Sequence, residues 1–391
     1  MRLGIISDYD FFTGGDGRIY VNRGQDLLES ICGKFDEVVY FGRLHSTCDV
    51  SSLLPVRATN FRVVALRSTK RNPVSDAVSI AKRVFAHGRD CDLFLVKLGN
   101  LHALVGFLLV RVLGKPIACY AINDLDLSWC RHLGLSIWRQ GGYKVLHYVW
   151  RLLYVLADGR LAISPRVAKR YCLGGWGGDA DIYVEASVSV DRCLAFEAVN
   201  NAGDDLVILS VGRLVSYKGH AVLVEAVAKL VHSHKLAVRL VVVGDGPERD
   251  YLEGLATKKG LSNSVTFTGY VPQGEQLWSI YSRASVYVQP SLTESFGMAV
   301  LEAMCFGLPV VASAVGGLQD LVVHGVTGFL VPPGDVDALE IRLGTLLASP
   351  GLRSKLGEAA KVFASRYKVE GETEKLGEAM RRLQEKRVAG N

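Results

Sequence analysis

Short apolar runs alternate with amphipathic stretches along the whole chain, and the alternation starts again near its middle. In the first half the apolar runs are LGIIS (3–7), EVVYF (37–41), DLFLV (92–96), PIACYAI (116–122) and GRLAIS (159–164). Stretches with helical periodicity lie between them at 19–33, 74–87, 101–113 and 145–156. The pattern then repeats with LVILSVG (206–212), VRLVVVG (238–244), VTFTG (265–269), VYVQP (286–290), PVVAS (309–313) and GFLVPP (328–333). Its helical stretches are 220–233, 249–260, 298–307 and those from about 335 to 388. Strands that are apolar on both faces need helices on both sides, which is the arrangement of an α/β parallel sheet.

Two Rossmann-like, doubly wound units in sequence are therefore predicted. A chain of 391 residues also exceeds what a single core ordinarily accommodates. The loop-like composition of FEAVNNAGDD puts the seam near 190–204, giving domains at 1–190 and 191–370. Ligands of open α/β sheets bind outside the carboxyl ends of the strands, so the chemistry is expected in a cleft between the two domains.

The net charge of +6 is uneven. Residues 1–200 hold 25 Lys and Arg against 19 Asp and Glu, whereas 201–391 hold 20 against 20, so the excess belongs to the first half. That half could face a phospholipid surface or a phosphorylated acceptor, or the charge could be scatter on a solvated surface. The eight cysteines form no CxxC pair, which points to reduced thiols in a cytoplasm and away from zinc or a disulfide framework. No apolar run reaches the ~18 residues of a spanning helix. MRLGIISDYD reads as a strand rather than a secretion signal. No nucleic-acid partner is expected.

Four strand-end segments of the second half carry candidate chemistry. SVGRLVSYKG sets Arg213 and Lys218 just after a strand, where a planar fork and a mobile point charge suit a diphosphate. VVVGDGPERDYL carries Gly244, for which phosphate binding and a plain tight turn are equally good accounts. YVQPSLTESFGMAVLEAM runs strand, loop, helix, and backbone N–H groups from Phe296 through Gly297 and Met298 would form an anion site at the helix start. Glu294 precedes that start, and Glu302 lies about 8 Å further along the axis among apolar neighbours. That offset resembles the span from a nucleotide's diphosphate to its ribose. SAVGGLQDLVVHGVTGFLVPPGD would supply another wall.

Together these segments resemble the large family of retaining glycosyltransferases, glycosyl transferases group 1 or family 4, which includes relatives of sucrose and glycogen synthases and bacterial mannosyltransferases. Its hallmark, a glutamate, seven residues and a second glutamate, is present as Glu294 to Glu302 in ESFGMAVLEAMCFGLPVVAS. The resemblance also covers VGRLVSYKG, VGDGPERDYLE, TGYVPQGEQLWSIYSRASVYVQPS and VGGLQDLVVHGVTGFLVPPGD, spanning about 205–370. It implies the GT-B fold, a UDP- or GDP-sugar as donor and a lipid, glycan or small polyol as acceptor. By the same resemblance, Arg213 and Lys218 would hold the diphosphate, Glu294 the donor sugar and Glu302 the ribose. Val271 would lie near the base, and Phe296, Gly297 and Met298 would meet the phosphates, with Gly244 beside them. The anomeric configuration would be kept. No cofactor or metal is implied, and the triplets DYD, DLD, DAD and DVD, which elsewhere hold divalent cations, fall outside the matched donor positions.

The first half resembles the family more loosely. FFTGGDGRIYVN stands where a first glycine-rich loop occurs, so Gly14 and Gly15 would approach the donor phosphates. Aligned on its GKP end, the segment 92–116 has Leu98 where the family carries a catalytic histidine, and the nearest histidine is His102. His102 could take that role or be a core or capping histidine. Asp124 and Asp126 in INDLDLSW are candidates for acceptor contact. The mixed aromatic and basic stretch 129–159 could rest on an anionic membrane at its inner face, making the protein peripheral, or pack into the first domain. The last helix, 371–391, would cross back onto the first domain. Two further readings share the shape: a nucleotide-sugar epimerase, and a nucleotide-sugar binding protein without transfer activity.

Overall fold

Val38, Val39, Phe41, Phe94, Leu95 and Val96 are at most 1% exposed, as strands covered on both faces must be. In the computed structural model, which describes residues 1–22, 24–47, 50, 53–66, 73–99, 101–122, 137–173, 179–184, 190–196, 206–233 and 237–389, such strands build two sheets. The chain divides into two compact units. One comprises Met1–Leu125, Gly141–Ser189 and Val369–Asn391; the other comprises Asp126–Gln140 and Val190–Lys368.

The first unit contains β1 (Arg2–Thr13), β2 (Ile19–Val21), β3 (Glu37–Ser46), β4 (Leu54–Pro55), β5 (Phe61–Ala65), β6 (Leu93–Lys97), β7 (Ile117–Ala121), β8 (Gly159–Ala162) and β9 (Asp181–Ile182). Its parallel path runs β5-β3-β1-β6-β7-β8-β9, and in register Ile5 stands between Tyr40 and Leu95. The helices are α1 (Gln25–Cys32), α2 (Pro73–His87), α3 (Leu101–Val112), α4 (Ile137–Leu156) and α5 (Pro165–Tyr171).

Two expectations for this half are corrected. The stretch 19–33 is not one helix: Ile19–Val21 pairs antiparallel with the end of β1, and α1 begins only at Gln25. The reason is local. β1 runs on to Thr13, a turn closed by the Gly14 N–H to the Arg18 carbonyl (3.2 Å) reverses the chain, and the β-prone Ile-Tyr-Val run pairs with it. Gly24, at φ 71°, then sets the helix start. The second correction concerns α4, which begins at Ile137 rather than 145. FRVVA was not anticipated as a strand; Arg62 interrupts its apolar pattern but reaches out to Glu37 at 3.1 Å.

The second unit has β10 (Leu206–Val211), β11 (Val238–Val243), β12 (Val265–Gly269), β13 (Val286–Gln289), β14 (Val310–Ser313) and β15 (Gly328–Val331), all parallel. Its helices are α6 (Val190–Ala195), α7 (His220–Ser233), α8 (Arg249–Lys258), α9 (Glu275–Ser282), α10 (Met298–Cys305), α11 (Leu318–Leu321), α12 (Val336–Ala348) and α13 (Pro350–Ala364). The strand order is β12-β11-β10-β13-β14-β15. Chain order therefore reverses between β10 and β13, where the loops leaving the two strands part and a crevice forms. Ile208, Leu240, Val242, Val286, Val288 and Val311 are fully buried at the centre of this core.

The last helix, α14 (Val369–Ala389), packs with the first unit. Its Thr373 hydroxyl meets that of Ser30 at 2.7 Å, and the fully buried Glu372 accepts the Val184 N–H at 2.8 Å. Among the described residues no helix is long and apolar enough to cross a membrane.

Candidate functional site

At the crevice of the second unit, the loops leaving β10, β13 and β14 are joined by backbone hydrogen bonds. The Leu292 N–H donates to the Tyr217 carbonyl (2.8 Å), and the Gly317 N–H donates to the Glu294 carbonyl (3.2 Å). The loop after β10 is also fastened to the end of β11, through Gly212 N–H to Val243 O (2.9 Å) and Leu214 N–H to Asp245 O (3.0 Å). Gly244 makes that approach feasible. Its φ is 135°, and a Cβ there would lie 1.9 Å from the Gly212 carbonyl oxygen. Close packing thus accounts for Gly244 without any ligand.

Lys218 and Glu294 meet where these loops come together. The Lys218 ammonium lies 2.6 Å from a Glu294 carboxylate oxygen, with side chains only 19% and 14% exposed. The acid is approached by a line of polar groups along β13. The Tyr287 phenol donates to the Gln289 carboxamide oxygen (2.7 Å), the Gln289 NH2 to the Ser291 hydroxyl (2.8 Å), and that hydroxyl, at a longer 3.5 Å, to Glu294. Alternate residues of a strand share a face, so Tyr287, Gln289 and Ser291 follow from strand geometry. All three are buried, where only hydrogen-bonded polar groups are tolerated. Burial pushes the Tyr287 phenol well above its ordinary value, and the charges of Glu302 and Glu294 act in the same direction. It remains a donor.

Glu302 sits in the second turn of α10, 6% exposed. It accepts the Tyr281 phenol at 2.8 Å and the Gln273 NH2 at 3.0 Å. Tyr281 is raised well above its ordinary value, first by burial and then by the Glu302 charge, and its ring stacks on Phe306 with centroids 5.4 Å apart. The acid expected to face a ribose thus faces a phenol and a carboxamide. A diol reaching this carboxylate would share it with the Gln273 amide or displace that amide.

Gly297, at φ 102°, opens α10, and a Cβ there would fall 2.6 Å from Leu318. The first helical bonds run from the Val300 and Leu301 N–H groups to the Gly297 carbonyl, so the N–H groups of Met298 and Ala299 precede the ladder. Phe296 is buried, its ring edge-on to Tyr367 at 6.0 Å. Arg213 is exposed on the Lys218 loop; its carbonyl accepts the Val215 N–H (3.0 Å), and among the described residues its guanidinium has no ion pair or hydrogen bond. Val271 is half-buried on the loop that also bears Gln273.

The first-half candidates belong to the other unit. Gly14 lies in the β1–β2 turn, where a Cβ would crowd Asp16 and Tyr20, whereas Gly15 has open space around it. His102 is 7% exposed in the first turn of α3, just beyond β6, and Leu98 is buried at the strand end. Asp124 and Asp126 lie outside the described residues, as do 129–136 of the mixed aromatic and basic stretch. Other acids of the triplets have structural partners. Asp10 pairs with Arg43 (2.9 Å) and His45 (2.8 Å), Asp181 with Arg382 (2.7 Å) and Asp337 with Lys229, while Asp335 caps α12. Among the described residues no three His, Cys, Asp or Glu side chains group as a metal site.

Several residues of the site were not singled out from the sequence. Tyr281 and Gln273 reach Glu302 from 21 and 29 positions away, a distance no local pattern reveals. Gln289 and Ser291 carried a usable signal, since polar residues in a strand otherwise apolar are unusual. His220, 3% exposed and two residues after Lys218, is lowered to about 4, mainly by burial and secondarily by the Lys218 charge. In the first unit, Lys97 ends the otherwise apolar, buried β6; its ammonium is 3.2 Å from the Tyr40 hydroxyl.

Residues 192–363 match the family model described as glycosyl transferases group 1. The second unit belongs to that family. A curated relative, the D-inositol 3-phosphate glycosyltransferase of Corynebacterium urealyticum, is 40% identical to the chain over 183 residues, covering 45% of this chain and 43% of its own length. The chain spans about half the length, or less, of the curated relatives it matches. Two solved structures align over nearly everything. Sucrose-phosphate synthase from Thermosynechococcus elongatus gives a TM-score of 0.74 at 24% identity, covering 98% of this chain and 99% of its own. Anabaena Alr3699/HepE in complex with UDP and glucose gives 0.72 at 20% identity, covering 97% and 98%. The group 1 unit and the sheet unit before it together have the GT-B fold of those structures, as the strand pattern and the resemblance led us to expect.

Proposed function

We propose that the chain is a retaining hexosyltransferase. It moves a hexose from a nucleotide-diphosphate sugar, UDP- or GDP-linked, to a hydroxyl of a lipid, glycan or small polyol. The observation that carries this reading is the Lys218–Glu294 pair at the switch point of a group 1 unit, with Glu302 one short helix further on. As the bond from the anomeric carbon to the diphosphate oxygen breaks, negative charge grows on the leaving diphosphate. Lys218, Arg213 and the free N–H groups at the start of α10 are available to compensate it without a metal ion. Glu294, held by Lys218 and Ser291, would accept hydrogen bonds from hydroxyls of the transferred sugar. The acceptor oxygen forms the new bond on the face the diphosphate leaves, and its proton passes to a diphosphate oxygen. Configuration is then kept, and atoms balance without a cofactor. His102, with Gly14 and Gly15, would serve from the first unit. A phosphorylated polyol, as in the name of the Corynebacterium relative, suits the excess cations of residues 1–200.

The test is transfer or hydrolysis of radiolabelled UDP- and GDP-hexoses with chelator present, comparing the parent chain with Lys218→Ala and Glu294→Ala. Loss of one preorganised charge-stabilising group lowers kcat by about 10²–10³. Unchanged turnover in both variants, or activity abolished by chelator alone, would remove the reading.

A further inference from the structure

α4 is apolar on two opposite faces. Trp150, Leu153 and Tyr154 are at most 4% exposed and face the core. On the other side Val145, Tyr148, Leu152 and Leu156, spaced three, four and four apart, form one stripe, and they are 67%, 60%, 42% and 53% exposed. An amphipathic surface helix would carry polar residues there. The stripe runs from Val145 to Leu156, eleven helical rises or about 16 Å. α3 also leaves two large apolar side chains exposed, Leu108 and Val112 at 54% and 73%. Arg111 ties the two helix ends together, since its guanidinium donates to the Leu156 carbonyl and to both Asp158 oxygens at 2.9 and 3.0 Å.

Where the stripe ends, a cleft of about 380 Å³ opens between these helix ends and α14. Arg111, Lys115, Lys386 and Arg387 line it against a single acid, Asp158. The surface therefore combines an apolar strip with a pocket carrying three net positive charges. We infer that this face docks in the plane of an anionic phospholipid bilayer, with the stripe sunk among the upper acyl carbons and the cleft on lipid phosphates. The charge complementarity selects this occupant: a second copy of the chain would bring the same cations to the cleft, whereas an acidic headgroup layer neutralises them. Lys144, exposed at the flank of the stripe, adds to the same sign. The inference does not rest on the transferase reading, since none of these residues is assigned to the donor.

The experiment is co-sedimentation of the full chain with vesicles of phosphatidylcholine alone or with one third phosphatidylglycerol, in low and high salt. Mass in solution is measured without vesicles. The parent chain should bind the anionic vesicles and be released by salt. Lys386→Ala with Arg387→Ala should lower the partition coefficient about five-fold for each cation removed. Leu152→Ser with Leu156→Ser should lower it at least ten-fold. Both pairs of sites are exposed, and thermal melts verify that the variants stay folded. Three results would overturn the inference: no binding to anionic vesicles at low salt, equal binding by both variants and the parent, or a parent dimer that the serine pair converts to monomers. The last would give the stripe to a second copy.

Discussion

Changing His220 to leucine should flatten the acid side of the stability profile of the group 1 unit. The ring is buried, and among the described residues neither nitrogen has a hydrogen-bond partner. Burial first, and the Lys218 charge second, lower its value to about 4. Unfolded, it returns to about 6.5. Between those values the unfolded chain binds a proton that the folded unit does not. The stability conferred by a neutral ring is thus whole above pH 6.5, shrinks as pH falls toward 4, and shrinks no further below that. At ~1.4 kcal/mol per unit the loss is capped at about 3.4 kcal/mol, of which about 2.5 kcal/mol is reached at pH 4.5. Hydrogen exchange of the 220–233 segment reads the opening of this unit without requiring the whole chain to unfold in one step. Comparing parent and His220→Leu at equal pH cancels intrinsic exchange rates and every other titration. At pH 7.5 the variant should be neutral or slightly more stable, because an unpartnered polar ring is replaced by an apolar group of similar size. At pH 4.5 it should be more protected by about 2.5 kcal/mol relative to that baseline. Equal pH slopes, or a His220 ring resonance titrating near 6.5, would refute the reasoning.

Tyr281→Phe removes the phenol donor from Glu302 and leaves a buried carboxylate less satisfied; urea unfolding should show a loss of about 1.5–3 kcal/mol, together with a raised KM for the donor if Glu302 holds the nucleotide. Gln289→Leu interrupts the line from Tyr287 to Ser291, so steady-state assays should show a kcat lowered about ten-fold with KM little changed, the pattern of a disturbed positioning residue rather than lost binding.

Much of this architecture was legible because parallel strands advertise themselves. β10, β11, β13 and β14 are short Val- and Ile-rich runs ending in glycine, proline or serine, and nothing else accommodates that pattern. Lys218 and Glu294 were legible for a related reason. Each sits on a loop immediately after such a strand, and neighbouring strands bring those loops together whatever lies between them in sequence. Legibility failed where tertiary contact overrides local signal. Ile19–Val21 became strand because β1 overran its apolar stretch and offered an edge. FRVVA was missed because an arginine breaks its alternation, although the aliphatic part of such a side chain tolerates a strand that pairs on one side. For Gly244 a phosphate loop and a tight turn were equally good accounts from sequence; a Cβ there would fall 1.9 Å from the Gly212 carbonyl oxygen, which gives the residue a packing task.

The two glutamates of the motif were expected to act alike, as hydroxyl acceptors at either side of a diphosphate, and their surroundings differ. Glu294 is compensated by a cation. Glu302 accepts the Tyr281 phenol and the Gln273 amide, and its charge is felt nearby: after burial, it raises Tyr281 and pushes the Cys305 thiol up to about 12. An anion approaching Glu302 would be repelled, while a hydroxyl would be welcomed as Tyr281 and Gln273 are. At the other end, Arg213 is exposed without a counter-ion and Lys218 has one carboxylate against it, so an anion is favoured there. The unit therefore carries a gradient, cationic at the loop after β10 and anionic inside α10. A nucleotide-diphosphate sugar has the matching order of charges, an anionic diphosphate between two sets of neutral hydroxyls. A free polyphosphate does not, because it would bring charge to Glu302 as well. Competition by inorganic pyrophosphate against labelled donor should accordingly be weak compared with competition by the nucleoside diphosphate, and stronger inhibition by pyrophosphate would mean that Glu302 plays no part in recognition.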